Sequence, residues 1–386
     1  LGLERFWFCR KSVPAVSCKD YKLIHMKKIR IGIIFGGKSA EHEVSLRSAK
    51  NVYQALDKNK YEPVLIGVSK RGQWLLGDSS RLALESGESI KSEDKREVVS
   101  MAPESGGEIA PLDNSEVSEK IDVAFPVLHG PFGEDGTVQG LLKLADIPFV
   151  GAGVLGSAVC MDKDVAKRLL RDAGVPVPKF MVLKDTDKAD FNFSVKELGL
   201  PLFIKPANLG SSVGISKVRN EEEFDEAVAL ALQYDTKILL EEFIKGREIE
   251  CSVLGNDSPI ASIPGEIIPS HDFYSYEAKY LDENGAELKI PADLSPEIVN
   301  RIQELAIKTF KALCCEGMGR VDFFLKENGE AYVSEINTIP GFTSISMYPK
   351  MWEASGISYA ELVDKLIELA IQRFAKEKQL KTSYLP

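Results

Sequence analysis

A pair of carboxylates inside a strand hairpin is the feature of this sequence that most restricts its fold. Two runs rich in Val, Phe, Tyr and Ile, RVDFFL and AYVSEI, flank Asn328-Gly329, a dipeptide that favours a two-residue hairpin turn. A turn at this dipeptide places Asp322 directly opposite Glu335. Arg320 then lies opposite Asn337, and the period of two puts all four side chains on one face. Like charges facing each other are destabilising, so the hairpin predicts a compensating group on that face.

That compensating group can be a proton, a cation or a metal ion. Asp322, Glu335 and Asn337 offer only oxygen ligands, which are typical of Mg²⁺ or Mn²⁺ sites. Mg²⁺ usually joins one or two carboxylates to the phosphates of a substrate. The alternative is that Arg320 neutralises the two carboxylates in an ordinary surface network. Both interpretations stay open on the hairpin alone.

Composition bounds the class of protein. The chain has 386 residues, 44% hydrophobic and 27% charged, which is typical of a globular protein with two or three domains. Its net charge of −10 argues against nucleic-acid or membrane binding by bulk electrostatics, and no apolar run approaches the roughly 18 residues of a transmembrane helix. Six cysteines without CxxC spacing indicate neither a zinc site nor a disulfide framework. With no secretory signal, reduced thiols in the cytoplasm are the simplest interpretation.

The order of predicted elements divides the chain into domains. Residues 1–25 lack the apolar core of a signal peptide and precede Met26, so we expect the fold to begin at Met26. KIRIGIIFGG, EVSLRSAKNVYQALDK and YEPVLIGVS alternate strand, helix and strand, which predicts a parallel α/β unit. Residues 78–120 are polar and are interpreted as a long surface loop or an insertion. We expect an N-terminal domain, a central domain, a C-terminal domain and a tail at residues 26–151, 152–240, 241–375 and 376–386.

Three glycine-rich segments are candidates for phosphate or ligand binding. Gly32 to Ser39 matches the GxxxxGK[ST] pattern, but its Ile, Ile and Phe belong to a buried strand, which favours a strand-to-helix turn facing a ligand near Ser39–Glu41. Lys205 to Lys217, KPANLGSSVGISK, predicts two strands joined by a loop that can cover a triphosphate, with Lys205 as a positive charge. His129 to Gly136, HGPFGEDG, follows a strand at the edge where α/β sheets bind ligands. On these residues alone, the second and the third segment can also be loops that bind nothing.

The order of the motifs resembles a known family. FGGKSAEHEVSLRSA, LHGPFGEDGTVQG, MDKDVAKRLL, KPANLGSSVG, SYEAKY, GRVDFF and EINTIPGFT occur with spacings similar to those of the D-alanine–D-alanine ligases, over about residues 28 to 372. The resemblance implies a mixed α/β fold of the ATP-grasp type, with three domains and nucleotide bound between the central and C-terminal domains. It implies an ATP-dependent ligase that joins two D-alanine molecules through a D-alanyl phosphate for peptidoglycan synthesis. It also implies a homodimer.

The same resemblance assigns the nucleotide and metal sites. Lys163 and Lys205 match the lysines that contact phosphate, and Glu248 matches the carboxylate that binds the ribose hydroxyls. The lid over the phosphates corresponds to Ser211, Ser212 and Val213, and the hinge that meets adenine to Glu241, Glu242, Phe243 and Ile244. Two Mg²⁺ or Mn²⁺ ions are expected to bridge the phosphates from Asp322, Glu335 and Asn337.

The substrate and catalytic residues follow in the same way. Glu41 resembles the anchor for the ammonium group of the first D-alanine, with His129 nearby. Arg320 and the backbone amide of Gly341 resemble the groups that stabilise the oxyanion. The carboxylate of the second substrate and its surroundings correspond to Lys279, Ser346 and Met347. Tyr280 resembles the tyrosine of the dipeptide-forming members, which forms a hydrogen-bonded triad equivalent to Glu41, Ser211 and Tyr280.

Two rival functions remain at this stage. One is a ligase of the same fold that couples D-alanine to D-lactate or D-serine. The other is an ATP-binding regulatory protein without turnover. The intact set of charged and polar residues argues against it: Lys205, Arg320, Asp322, Glu335 and Asn337.

Overall fold

Three β-sheets organise the chain. The computed structural model describes residues 27–90, 97–112, 118–269, 286–381 and 383–384, so the predicted extension 1–25 lies outside the described residues. Within these ranges, none of the helices combines the length and the apolar character needed to cross a membrane. The helices are α1 (His42–Ala55), α2 (Asp78–Ser86), α3 (Thr137–Leu144), α4 (Val154–Met161), α5 (Lys163–Asp172), α6 (Phe191–Leu198), α7 (Glu221–Ala231), α8 (Pro296–Ala312), α9 (Met347–Ala354) and α10 (Tyr359–Glu377).

The first sheet contains the predicted parallel unit. Its strands are β1 (Ile29–Gly36), β2 (Tyr61–Val68), β3 (Trp74–Leu76), β4 (Val98–Met101), β5 (Glu108–Pro111), β6 (Glu119–Lys120) and β7 (Val123–Val127). They lie in the order β6-β5-β4-β3-β2-β1-β7, and β1 is parallel to both β2 and β7. Because the whole GIIFG segment lies within β1, it cannot wrap a phosphate, and the strand-to-helix interpretation is confirmed.

The interpretation of residues 78–120 as a long surface loop was wrong. This segment contributes α2 and the antiparallel strands β4 to β6, which extend the first sheet. Val99, Met101 and Ile109 are buried, whereas the side chains that alternate with them along β4 and β5 are not. A strand with one buried face needs an apolar side chain only at every second position. The polar composition of the segment therefore concealed the strands.

The second and third sheets are antiparallel. The second contains β8 (Phe180–Lys184), β9 (Leu202–Pro206), β10 (Ser216–Val218) and β11 (Lys237–Glu242), in the order β10-β9-β11-β8. The third contains β12 (Arg247–Gly255), β13 (Ile260–Ala261), β14 (Gly265–Pro269), β15 (Ala286–Lys289), β16 (Gly317–Leu325) and β17 (Ala331–Asn337). Strands β11 and β12 are separated by only four residues but belong to different sheets. The second sheet thus runs to Glu242, and the division of the chain into domains at residue 240 stays a prediction.

The acidic hairpin has the predicted pairing but a different turn. Asp322 pairs with Glu335 and Arg320 with Asn337 in the β16–β17 ladder. The turn is nevertheless not the two-residue Asn328-Gly329 turn, because the Lys326 amide bonds to the Glu330 carbonyl at 2.9 Å and encloses a three-residue loop. A β-bulge between the Asp322 and Phe323 pairs restores the predicted register. Two departures from the ideal hairpin therefore cancel at the charged residues.

Helices of the C-terminal region pack against the first sheet. The buried apolar side chains of α9 and α10 join those of β1, β7 and α1 in one core. Phe125 of β7 meets Phe342 edge to face, with ring centroids 6.1 Å apart. Arg373 of α10 donates hydrogen bonds to the carbonyls of Phe149, at 2.8 Å, and Gly151, at 2.5 Å. These contacts fix the loop after β17 against the carboxyl end of the first sheet.

Candidate active site

A cavity of about 910 Å³ lies between the second and third sheets and is closed by α1 and by the loop that follows β7 of the first sheet. It contains side chains from the α1 start, the loop after β7, the second sheet and the acidic hairpin. The predicted site residues on its wall are Glu41, His129, Lys163, Lys205, Ser211, Ser212, Glu241, Glu248, Arg320, Asp322, Glu335, Asn337, Gly341, Ser346 and Met347. Val213, Glu242, Phe243 and Ile244 are not part of that wall. Lys279 and Tyr280 lie outside the described residues.

The acidic hairpin forms one wall, and its main cation is Arg320. The guanidinium of Arg320 donates two hydrogen bonds to Asp322, at 2.8 and 2.7 Å, and lies 3.0 Å from a carboxylate oxygen of Glu250. Burial alone would lower the pKa of Arg320, but the charges of Asp322 and Glu250 outweigh it and raise the pKa. In this structure Arg320 therefore neutralises Asp322, which is the alternative that the sequence left open.

The same face can hold a metal ion. The side-chain amide of Asn337 donates to Asp322 at 3.1 Å, so its own carbonyl oxygen remains a ligand for a cation. Among the described residues, no three His, Cys, Asp or Glu side chains form a metal cluster by themselves. Two carboxylates and one amide nevertheless fit the oxygen preference of Mg²⁺ or Mn²⁺, which take their remaining ligands from water and phosphate. A metal ion at this place must compete with Arg320 for Asp322.

Lys163 and Lys205 form the opposite wall, and Lys167 lies buried behind it. The Nζ atoms of Lys205 and Lys167 lie 2.6 Å from the two carboxylate oxygens of Glu241, and all three side chains are buried. Lys163 donates to the carbonyl of Leu209 and lies 3.9 Å from Glu335, which links this wall to the hairpin. We call Lys163, Lys167, Lys205 and Glu241 the lysine cluster. Burial lowers the pKa of Lys163, and the cluster carries more positive than negative charge.

The lid loop between β9 and β10 bends sharply beside these lysines. Ser211 and Ser212 have φ values of 53° and 59°, in the left-handed region that residues other than glycine seldom adopt. Both serines line the cavity. The turn therefore directs two hydroxyl-bearing residues at the space beside Lys205, as expected of a phosphate-covering loop.

A third corner of the cavity contains Glu41 and His129. Glu41 comes directly before α1, and its Oε2 lies 3.0 Å from where a Cβ on Gly130 would be. Glycine at 130 thus lets the carboxylate approach the backbone. The same oxygen is 3.9 Å from the corresponding point at Gly210, so Glu41 is a neighbour of the lid that holds Ser211. The proposed third member of that triad, Tyr280, cannot be placed.

His129 connects two loops at the base of the site. Its Nδ1 lies 2.9 Å from the carbonyl of Ile339, which only accepts, so Nδ1 carries the proton. Its Nε2 then accepts from the hydroxyl of Ser48 at 3.2 Å. Burial lowers the pKa of His129 despite the charge of Glu41. Because both ring nitrogens have protein partners, His129 holds the loop before Gly341 in position.

The remaining predicted substrate residues lie in the loop before α9 and at the first residue of that helix. Ser346 accepts a hydrogen bond from the Thr343 amide at 3.0 Å, and a Cβ on Gly341 would come within 2.7 Å of its hydroxyl. Gly341 therefore permits this close approach. Met347 is buried in a small apolar cluster with Ile267 and Met351.

Sequence reasoning missed three charged residues at this site. Glu134 accepts from the amides of Gly130, at 2.7 Å, and Ile339, at 3.0 Å, and burial followed by the charge of Glu41 raises its pKa to about 8. Glu250 contacts Arg320, and Lys167 contacts Glu241. Two signals were available: Glu250 follows Glu248 at the strand period, and Lys167 follows Lys163 at the helix spacing of four.

These features define a class of protein. A cavity between two antiparallel sheets, with lysines and a serine lid on one side and an oxygen-only acidic face on the other, is the arrangement of the ATP-grasp fold. The chain belongs to the D-alanine–D-alanine ligase family. The models of that family, "D-ala D-ala ligase N-terminus" and "D-ala D-ala ligase C-terminus", match residues 30–152 and 169–368.

Individual relatives agree with this family over nearly the whole chain. The D-alanine–D-alanine ligase of Oceanobacillus iheyensis is 54% identical over 363 residues, which cover 93% of this chain and 99% of that protein. The solved D-alanine–D-alanine ligase from Coxiella burnetii is 40% identical with a TM-score of 0.81, covering 92% of this chain and 97% of that one. The VanG D-Ala:D-Ser ligase from Enterococcus faecalis is 40% identical with a TM-score of 0.80, covering 89% and 100%. The family and the fold expected from the motifs are confirmed.

Proposed function

We infer that the protein joins two D-alanine molecules into D-alanyl-D-alanine, with conversion of ATP to ADP and phosphate, for peptidoglycan synthesis. The observation that carries this function is a cavity that unites a cationic wall, an acidic face and the carboxylate of Glu41. The cationic wall suits the phosphates of a nucleotide, and Glu41 suits the ammonium group of an amino acid. Identity above one half to a D-alanine–D-alanine ligase supports the choice of substrate.

The reaction has two steps on the proposed residues. The carboxylate of the first D-alanine attacks the γ-phosphate of ATP, which releases ADP and leaves a D-alanyl phosphate. Lys163 and Lys205 hold the phosphate oxygens, and the loop at Ser211, Ser212 and Val213 covers them from water. Glu241, Glu242, Phe243 and Ile244 meet the base, and Glu248 the ribose. Phosphoryl transfer of this kind depends mainly on positioning and charge neutralisation.

In the second step the amine of the second D-alanine attacks the acyl carbon, and phosphate leaves. Arg320 and the amide of Gly341 stabilise the oxyanion that develops there. Arg320 is bonded to Asp322 in this structure, so it must exchange that partner to face the acyl group. Glu250 remains beside it and keeps it at the cavity wall. Lys279, Ser346 and Met347 surround the second substrate, and Tyr280 joins Glu41 and Ser211 over the site.

Asp322, Glu335 and Asn337 would hold two Mg²⁺ or Mn²⁺ ions. These ions, when bound, supply positive charge to the phosphate oxygens. The support for them is the donor set, which contains oxygen only and faces the lysine cluster across Lys163 and Glu335. We also propose a homodimer and a cytoplasmic location, both supported by the family resemblance, and light scattering of the purified chain tests the former.

One assay tests the function. The purified chain receives ATP, Mg²⁺ and D-alanine, and phosphate release and dipeptide formation are followed together by colorimetry and mass spectrometry. We expect one phosphate for each D-alanyl-D-alanine. When D-serine or D-lactate is added beside D-alanine as a possible second substrate, we expect little of the mixed product. Absence of phosphate release with D-alanine alone overturns the proposal. ATP binding without turnover on any of the D-substrates would indicate the regulatory protein instead.

A further inference from the structure

Lys167 is a buried charge to which the proposed reaction gives no role. It lies on α5, is 1% exposed and places its ammonium group 2.6 Å from Oε2 of Glu241. The other oxygen of Glu241 already has a cation, since Lys205 lies 2.6 Å from Oε1. One lysine is enough to neutralise one carboxylate. The second therefore adds net positive charge to the protein interior.

That excess charge is unfavourable for the buried side chains themselves. Burial lowers the pKa of Lys167 to about 8, even with Glu241 in contact. Burial would raise the pKa of Glu241, but Lys167 and Lys205 outweigh it, so the pKa is lowered and the carboxylate stays ionised. A buried charge without a matching partner destabilises a fold. Such an arrangement is expected where a ligand supplies the missing negative charge.

The two lysines differ in their access to the cavity. Lys205 and Glu241 line it, while Lys167 does not. Lys205 can therefore turn to the phosphates of a nucleotide, and Lys167 can only stay with Glu241. When Lys205 turns away, Oε1 of Glu241 loses its bond and becomes an acceptor that faces the cavity. Oε2 remains held by Lys167, which keeps the carboxylate charged and oriented.

We propose that Lys167 is the positioning residue for base selection: it holds Glu241 as an ionised acceptor for the 6-amino group of a purine nucleotide. The proposal rests on the nucleotide site proposed above. A carboxylate accepts from an amino group and repels the oxygen of a 6-oxopurine. Adenine is therefore selected over hypoxanthine through Glu241. Lys205 can bind the phosphates only because Lys167 remains in contact with Glu241.

Equilibrium binding of two nucleotides tests this role. ATP and ITP are titrated with Mg²⁺ into the full chain, its Lys167→Met variant and the control Arg168→Met, by calorimetry. Arg168 is the next residue on α5, is exposed and pairs with Asp164, so it matches the charge change away from Glu241. We expect the unchanged chain and the control to prefer ATP by about 10-fold or more, the value of one charge-assisted hydrogen bond. Lys167→Met should lose most of this preference, mainly through weaker ATP binding.

If Lys167 had only a structural role, Lys167→Met would weaken the binding of ATP and ITP equally and leave the ratio of their affinities unchanged. That result would overturn the proposal. The Glu241→Gln variant gives an independent measurement if Lys167→Met fails to fold, because it must also lose the preference. If Lys167 acts only through Glu241, adding Lys167→Met to the Glu241→Gln variant should change the ratio of the ATP and ITP affinities by less than about 2-fold. An undiminished effect there, or no ATP preference in the unchanged chain, overturns the proposal. Binding requires no turnover, so the result is separate from the ligation assay.

Discussion

The acidic hairpin and the lysine cluster face each other across one cavity, and they solve the problem of buried charge differently. On the hairpin, each carboxylate has a nearby cation: Arg320 bonds to Asp322, and Lys163 lies 3.9 Å from Glu335. In the lysine cluster, the ammonium groups of Lys167 and Lys205 both contact the single carboxylate of Glu241. The hairpin side chains keep some exposure, whereas Lys167 and Glu241 have almost none.

The difference indicates what each wall does when ligands bind. The hairpin is close to neutral, so it can accept a metal ion only by exchanging a partner, and Arg320 is the group that can move. The lysine cluster has an excess of positive charge, so it gains from an anion even when Lys205 exchanges Glu241 for that anion, because Lys167 still neutralises Glu241. We therefore expect substitutions in the hairpin to act on turnover and on stability, and substitutions in the cluster to act mainly on nucleotide binding.

The largest effect is expected for Asp322→Asn. The amide keeps an oxygen but loses the negative charge that a metal ion and Arg320 both use, so turnover should fall by at least about 100-fold. Steady-state assays over a range of Mg²⁺ concentrations measure the loss. Calorimetric binding of ADP with and without Mg²⁺ shows whether the metal contribution is affected.

Glu327→Gln is the matched control, because Glu327 lies at the exposed end of the same hairpin and the charge change is identical. It should leave turnover and Mg²⁺ dependence within about 2-fold of the unchanged chain. If Asp322→Asn turned over normally with the same Mg²⁺ dependence, the acidic face would have no metal role.

The two walls also differ in how far the sequence predicted them. The hairpin was predictable because strand period, turn dipeptide and facing carboxylates are all local, and the Asp322–Glu335 pairing is confirmed. Even there the turn was wrong, and a bulge that no residue pattern announced restored the register. Partner choice was also beyond the sequence, since Arg320 contacts Glu250 of β12, a strand distant in the chain.

The lysine cluster was only half predicted. Lys163, Lys205 and Glu241 came from the family resemblance, but their mutual contacts come from the packing of α5 against β9 and β11. Lys167 looked like an ordinary helix residue, because burial of a lysine depends on which neighbour covers it. The strands β4 to β6 were missed for a related reason, since one-sided burial leaves a polar composition.

A contrast in stability separates the two walls further. Arg320→Met leaves Asp322 without its bidentate cation and should lower the free energy of unfolding by about 3–5 kcal/mol. Lys167→Met leaves a one-to-one pair of Lys205 and Glu241, so we expect a change within about 1 kcal/mol or a gain. Urea unfolding measures both changes in stability, provided that the variants have the same m-value as the unchanged chain. A loss for Lys167→Met as large as that for Arg320→Met would mean that the cluster is balanced and that our comparison is wrong.

The smallest expected effect is a pH dependence of the difference in stability between the unchanged chain and Lys167→Met. The pKa of Lys167 is lowered to about 8 in the folded chain, from 10.5 ordinarily. Between these values the unfolded chain binds more protons, so the free energy of unfolding rises with pH through this group, by at most about 1.4 kcal/mol per pH unit. The contribution is greatest above the ordinary pKa and is lost as pH falls through 8.

Other alkaline titrations cancel when the unchanged chain and Lys167→Met are compared at each pH, with Arg168→Met as reference. The unchanged chain should gain stability over Lys167→Met from pH 8 to 10, and a constant difference would show that Lys167 is not held against its burial.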